Sequence, residues 1–292
     1  MRYLDPVSLA KLKDVSLELR RLAAEGHASG RHRSLWKGFS RDFAQHRPYV
    51  PGDELKSLDW KVYARQDRFY VREYQAENIL STYVLVDASG SMAFCGEGRP
   101  PKWDQACRLA MAMAYLVVAR GDAAGLATFD TEPREFLSPR AALSHLELMD
   151  AALARSSPRG ETDLSSVLET AAARIKRRSL VILISDLIGE PEKVIRVAKA
   201  FKARKHELMV MQVLDPLERD LDYEGPTFFK SLEDGARIFC DASALRGLYR
   251  REFEKFLKGY EASFHRAEIA YAEFFTDRPW EDSLARLLGR WR

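Results

Sequence analysis

From residue 79 onward, short apolar runs alternate with longer stretches of helical periodicity, and few folds accommodate that rhythm. Strand runs stand at 79–87 (ILSTYVLVD), 123–129 (AAGLATF), 180–186 (LVILISD), 207–214 (ELMVMQVL) and 268–275 (EIAYAEFF). Between and after them, helical stretches span 102–119, 140–154, 164–177, 190–205, 243–263 and 279–291. Successive side chains of a strand point to opposite faces, so a run apolar at every position, such as L-V-I-L-I, is covered on both sides. Strands of that kind separated by helices predict an α/β fold with a doubly wound, mostly parallel sheet. A short strand at 133–137 is placed to pair with 123–129, and residues 224–240 are expected to form a small β insertion before the long helix.

The chain has 292 residues, 46% of them hydrophobic and 30% charged, enough for a large buried core. Its 46 basic and 43 acidic residues leave a formal charge of +3, too balanced to indicate nucleic acid by itself. The three cysteines, Cys95, Cys107 and Cys240, include no C-x-x-C pair, which argues against a zinc site or a disulfide framework and fits a reducing compartment. Asp5, Asp14 and Glu18 interrupt the first 25 residues, so no signal sequence is legible there. The longest apolar run, Leu109–Ala119, is too short to span a bilayer. A soluble, cytoplasmic protein without membrane contact is the expectation.

Residues 1–78 read as a separate N-terminal extension packed on the domain that follows, 79–292. Leu4, Leu9, Leu12, Val15, Leu19 and Leu22 recur at helical spacing over 4–25, after which Gly26 and Gly30 end the helix. Residues 27–78 are irregular apart from an alternating strand at 68–75, with a tight turn at Pro51-Gly52. Arg31, Arg33, Lys37, Arg41 and Arg47 interleave with Trp36 and Phe39; this is either a solvated basic loop or a phosphate-contacting one. His32 and His46 lack the spacing of a zinc helix.

The segment V-L-V-D-A-S-G-S-M at 84–92 carries the chemistry. A buried strand ends at Asp87, and hydroxyls follow at every second position, Ser89 and Ser91. Ligands of an open parallel sheet bind beyond the carboxyl ends of its strands. Asp186 ends L-V-I-L-I-S in the same manner, and G-E-T-D at 160–163 brings Thr162 ahead of a helix for which Asp163 serves as N-cap. Two carboxylates and three hydroxyls, without Cys or His, suit Mg²⁺, Mn²⁺ or Ca²⁺ rather than zinc. A set so poor in charge leaves waters and one open position, which an incoming carboxylate would fill.

Together D-A-S-G-S, G-E-T-D and I-S-D resemble the metal-ion-dependent adhesion site of von Willebrand factor A domains. That resemblance implies a central six-stranded, mostly parallel sheet with one antiparallel edge strand. It also implies that Ser89, Ser91 and Thr162 ligate the metal, with Asp87 and Asp186 acting directly or through water. Ahead of it, R-P-Y-V-P-G-D-E-L-K-S-L-D-W-K-V-Y-A-R at 47–65 is similar to the signature of the bacterial family catalogued as domain of unknown function fifty-eight. Within it Arg47, Tyr49, Asp53, Asp59, Trp60 and Arg65 are either packing and turn-holding residues or a partner surface. The family implies a metal-dependent protein-binding adaptor working with a MoxR-type AAA+ ATPase and a client protein. There is no G-x-x-x-x-G-K-S/T loop for ATP. An Mg²⁺-dependent hydrolase or phosphotransferase is the alternative, but no general base stands at a definable spacing, and A-S-G-S is not a nucleophile elbow. Nucleic-acid binding through the basic N-terminal segment is a third reading.

Overall fold

The computed structural model describes residues 1–4, 10, 43–49, 60, 62–63, 69–74, 80–161 and 163–290. The chain divides into two compact units, one of Met1–Gly30 with Leu80–Arg292, the other of Arg31–Ile79. The helix expected over 4–25 lies almost wholly outside the described residues, as does the basic stretch 31–41.

In the smaller unit, β1 (Phe43–Pro48) pairs antiparallel with β2 (Tyr70–Tyr74). The second of these is the expected alternating strand; the first fell in a stretch read as irregular. The Tyr63 and Phe69 rings stack at 4.4 Å, and Tyr49 meets Phe69 edge-on at 6.3 Å. Trp60 is 61% exposed, with its ring nearly perpendicular to that of Tyr63 at 6.2 Å. The stacked tyrosine and phenylalanine take each other's faces and leave the indole at the rim.

The larger unit follows the rhythm of the sequence. Its elements are β3 (Ser81–Asp87), α1 (Lys102–Val118), β4 (Ala123–Phe129), β5 (Pro133–Arg140), α2 (Leu143–Arg155), α3 (Leu164–Arg174), β6 (Leu180–Ser185), α4 (Pro191–Ala203) and β7 (Glu207–Leu214). After these come α5 (Pro216–Asp220), the hairpin β8 (Pro226–Lys230) and β9 (Arg237–Asp241), α6 (Ala242–Arg266), β10 (Ala270–Phe275) and α7 (Trp280–Arg290). Six strands form one sheet in the order β10-β7-β6-β3-β4-β5, and all neighbours are parallel except the edge pair β4 and β5.

Alternation places the core. Val84, Val86, Leu180, Ile182, Ile184, Met209, Met211 and Val213 pack on one face with α1, α2 and α7, and Tyr3 and Leu4 join that layer. Leu85, Val181, Leu183, Leu208 and Val210 pack on the other with α3, α4 and α6. Both faces are covered, as a parallel sheet requires. Met111 and Met113 are fully buried in α1 and belong to the core. No helix among the described residues is long and apolar enough to cross a membrane.

Candidate functional site

Because β3 and β6 are parallel neighbours in the middle of the sheet, Asp87 and Asp186 leave it at the same carboxyl edge. Asp87 is fully buried. Its Oδ1 accepts the Ser89 N–H at 2.9 Å and its Oδ2 accepts the Ser185 hydroxyl at 2.6 Å. Ser185 also accepts the Leu187 N–H, at 3.0 Å, so one hydroxyl ties the end of β3 to the turn after β6. In that turn Leu187 adopts a left-handed conformation with φ 57°, unusual for a non-glycine residue. The Tyr260 hydroxyl, from the middle of α6, donates to its carbonyl at 3.1 Å and helps hold it there.

After Asp87 the chain makes a short 3-10 turn, Gly90–Ala93. It sets the Ser89 and Ser91 hydroxyls 3.0 Å apart, with Ser89 buried and Ser91 reaching partly into solvent. The loop before α3 is docked on this turn: the Gly90 N–H donates to the Gly160 carbonyl at 2.8 Å, and the Arg159 N–H to the Ala88 carbonyl at 2.9 Å. Thr162 itself lies outside the described residues. Asp163 accepts the Ser166 N–H at 3.1 Å and caps α3, the role its position predicts.

Asp186 has a partner that the sequence did not disclose. Lys102, the first residue of α1, is fully buried, and its Nζ lies 2.7 Å from Asp186 Oδ2 and 2.5 Å from Glu218 Oε1. Glu218 is aimed by a capping box: its second oxygen accepts the Asp215 N–H at 3.0 Å while Asp215 caps α5. The signals that could have found this trio are D-P-L-E at 215–218, which reads as a capping box, and a lysine in a first helical turn, where the helix dipole disfavours a cation unless carboxylates compensate it.

Three carboxylates, the buried Asp87 and Asp186 and the partly buried Glu218, stand against one buried ammonium, Lys102, which leaves the cluster a formal charge of −2. Burial, reinforced by the Asp186 charge, pushes the Asp87 carboxyl from 3.8 up to about 6 against the opposing hydrogen bonds from Ser185 and Ser89. Burial likewise raises Glu218, against the pull of Lys102. For Lys102 burial acts downward, but the two carboxylates outweigh it and hold the ammonium above its ordinary value.

No three His, Cys, Asp or Glu side chains converge to hold a metal among the described residues. Any cation here therefore depends on hydroxyls as well as carboxylates. The donors suit a hard ion: all are oxygens, and two ligands on adjacent vertices of an Mg²⁺ octahedron lie about 3.0 Å apart for Mg–O distances of about 2.1 Å. The Ser89 and Ser91 hydroxyls are hydrogen-bonded to each other at 3.0 Å, a separation compatible with that edge.

Of the proposed partner-surface residues, Tyr49 and Trp60 belong to the aromatic group of the smaller unit, and Arg47 lies in β1, opposite Val71. Asp53, Asp59 and Arg65 are outside the described residues.

A six-stranded sheet with one antiparallel edge strand, helices on both faces and D-A-S-G-S at the end of a central strand defines a von Willebrand A-like domain. More narrowly, the family described as Protein of unknown function DUF58 matches residues 45–259, and the chain belongs to it. Uncharacterized protein Rv1480 of Mycobacterium tuberculosis is 28% identical over 298 aligned residues, which cover 98% of this chain and 90% of that protein. Among solved structures, the conserved hypothetical protein BatB from Bacteroides thetaiotaomicron aligns with a TM-score of 0.48 at 14% identity, over 73% of this chain and 98% of that one. The manganese-loaded TRAP protein of Plasmodium vivax aligns with a TM-score of 0.36 at 21% identity, over 46% of this chain and 56% of that one.

Proposed function

We propose that this chain is a metal-dependent protein-binding module. In this reading Asp87, Ser89, Ser91 and Thr162 hold a divalent cation, Mg²⁺ or Mn²⁺ ahead of Ca²⁺, and Asp186 supports it directly or through water. The observation that carries the reading is the cluster of formal charge −2 beside two hydroxyls at a separation compatible with an octahedral edge. A divalent ion supplies the missing positive charge. The ion's coordination stays incomplete toward solvent, where Ser91 opens, and a partner's carboxylate fills the open position. The module works as an adaptor between a MoxR-type AAA+ ATPase and a client protein, and is itself no enzyme.

Retention of purified MoxR-type ATPase from the same host on the immobilised chain tests this. Retention in Mg²⁺ that is lost in chelator and in Asp87→Ala supports the adaptor. Retention indifferent to both places the contact elsewhere.

A further inference from the structure

Thirteen large apolar side chains are exposed among the described residues, and six of them, Phe228, Leu232, Ile238, Phe239, Leu245 and Leu248, fall within residues 228–248. That stretch is the hairpin β8–β9 and the first turns of α6. Adjoining exposed apolar side chains mark an interaction surface, and on this hairpin Phe228 and Phe239 share one strand face while Ile238 takes the other. Phe228 and Phe239 are cross-strand partners with ring centroids 4.4 Å apart, and they remain 75% and 59% exposed. Two residues further along the same face, Lys230 pairs with Arg237, and both are exposed. The same register thus sets two aromatic rings beside two cations.

The hairpin is firmly held. At its base the Ala242 N–H donates to the Gly225 carbonyl at 3.1 Å, and the Gly225 N–H to the Ser243 hydroxyl at 2.8 Å. At its tip the Ser231 N–H closes on the Ala236 carbonyl at 2.8 Å. Glu233, Asp234 and Asp241 are the acids nearest the patch by sequence, and Asp234 and Asp241 accept the Ala236 and Ala244 N–H groups respectively. The tip also reaches the candidate metal turn: a Cβ on Gly90 would fall 2.2 Å from the Leu232 carbonyl oxygen. The hairpin tip therefore adjoins the turn that carries Ser89 and Ser91.

We infer that the hairpin Pro226–Asp241 is the second half of the partner-binding face, and that its occupant is an acidic polypeptide segment carrying an aromatic or large aliphatic side chain. The apolar residue packs against Phe228 and Phe239, Lys230 and Arg237 receive flanking carboxylates, and one further carboxylate reaches the metal. This rests on the metal-bridge reading above. Exposed aromatic pairs flanked by cations are the surface type that concentrates binding energy in few residues, and Lys230 and Arg237, together with the metal's open position, complement a segment rich in carboxylates.

The test is a random-peptide phage library panned on the full chain in Mg²⁺, followed by affinity measurement of the selected peptides. The expected peptides combine Asp or Glu with Phe, Trp, Tyr or Leu. Phe228→Ser/Phe239→Ser should weaken them by roughly tenfold or more, as should Asp87→Ala and chelator. Lys230→Glu/Arg237→Glu, which removes no packing, should weaken them as well and guards against a folding defect in the aromatic variant. Peptides weakened by Asp87→Ala but not by either hairpin variant overturn the hairpin assignment and keep the metal bridge. Peptides weakened by the hairpin variants but indifferent to chelator keep the hairpin and overturn the metal bridge. If no such peptides are selected, or the wild type self-associates while the aromatic variant is monomeric, an acidic partner is overturned; in the second case the occupant is another copy of the chain.

Discussion

Lys102 stands at the first position of α1, where a positive charge opposes the helix dipole, and it is nevertheless fully buried between Asp186 and Glu218. Removing one partner of a buried charge group costs more than the group contributes, because the remaining charges are left uncompensated. Lys102→Met should therefore lower stability by about 3–5 kcal/mol in chelator, and saturating Mg²⁺ should recover part of the loss. Thermal unfolding with and without the ion measures both, and a melting temperature equal to wild type contradicts the charge assignment. Asp87 gives a pH dependence. Its carboxyl is raised from 3.8 to about 6, so the folded chain holds this proton more tightly than the unfolded one. The metal-free stability it contributes is complete below about pH 4 and is lost as pH rises through about 6. Metal binding needs the carboxylate, so affinity should fall by roughly tenfold per unit below about pH 6; affinity that is flat between pH 5 and 7 contradicts this. That Asp87, Ser89, Ser91 and Asp186 come together at one sheet edge was legible in the sequence, because each follows an apolar strand at fixed spacing. Lys102 and Glu218 were not, because their pairings join residues 84 and 116 positions apart.

At the scale of elements, strand and helix positions followed from periodicity, and β4 and β7 have the bounds read from the sequence. Pairing partners of the sheet edge and the β insertion were also legible, since turn residues and alternation act locally. What escaped was short or tertiary. With five residues α5 shows no helical period, though its cap is visible, and β1 gains its pairing only from β2, more than 20 residues on. The contact between the hairpin tip and Gly90 is likewise tertiary. Gly90 has no room for a Cβ against the Leu232 carbonyl, and a backbone obstacle cannot rotate away. Gly90→Ala should cost about 1–3 kcal/mol and reduce metal affinity by displacing the Ser89–Ser91 turn. Calorimetric melting and Mn²⁺ titration check it, and an unchanged Mn²⁺ affinity means the hairpin tip does not brace the turn.

At the scale of the whole molecule, the family match from 45 to 259 runs through both compact units, so the signature segment and the A-like domain form one family architecture. The D-A-S-G-S turn and the hairpin beside it belong to the larger unit, and on the reading proposed above they form its cation site and its aromatic patch. Everything proposed for that face depends on the chain binding a divalent ion through Asp87 and the two serines. Titration calorimetry of Mg²⁺ and Mn²⁺ into the full chain at pH 7.5 is the direct measurement. Saturable binding by the wild type, with the heat abolished in Asp87→Ala and in Ser89→Ala/Ser91→Ala variants that still melt cooperatively, is the predicted result. Equal binding in wild type and variants, or none in any of them, would contradict it.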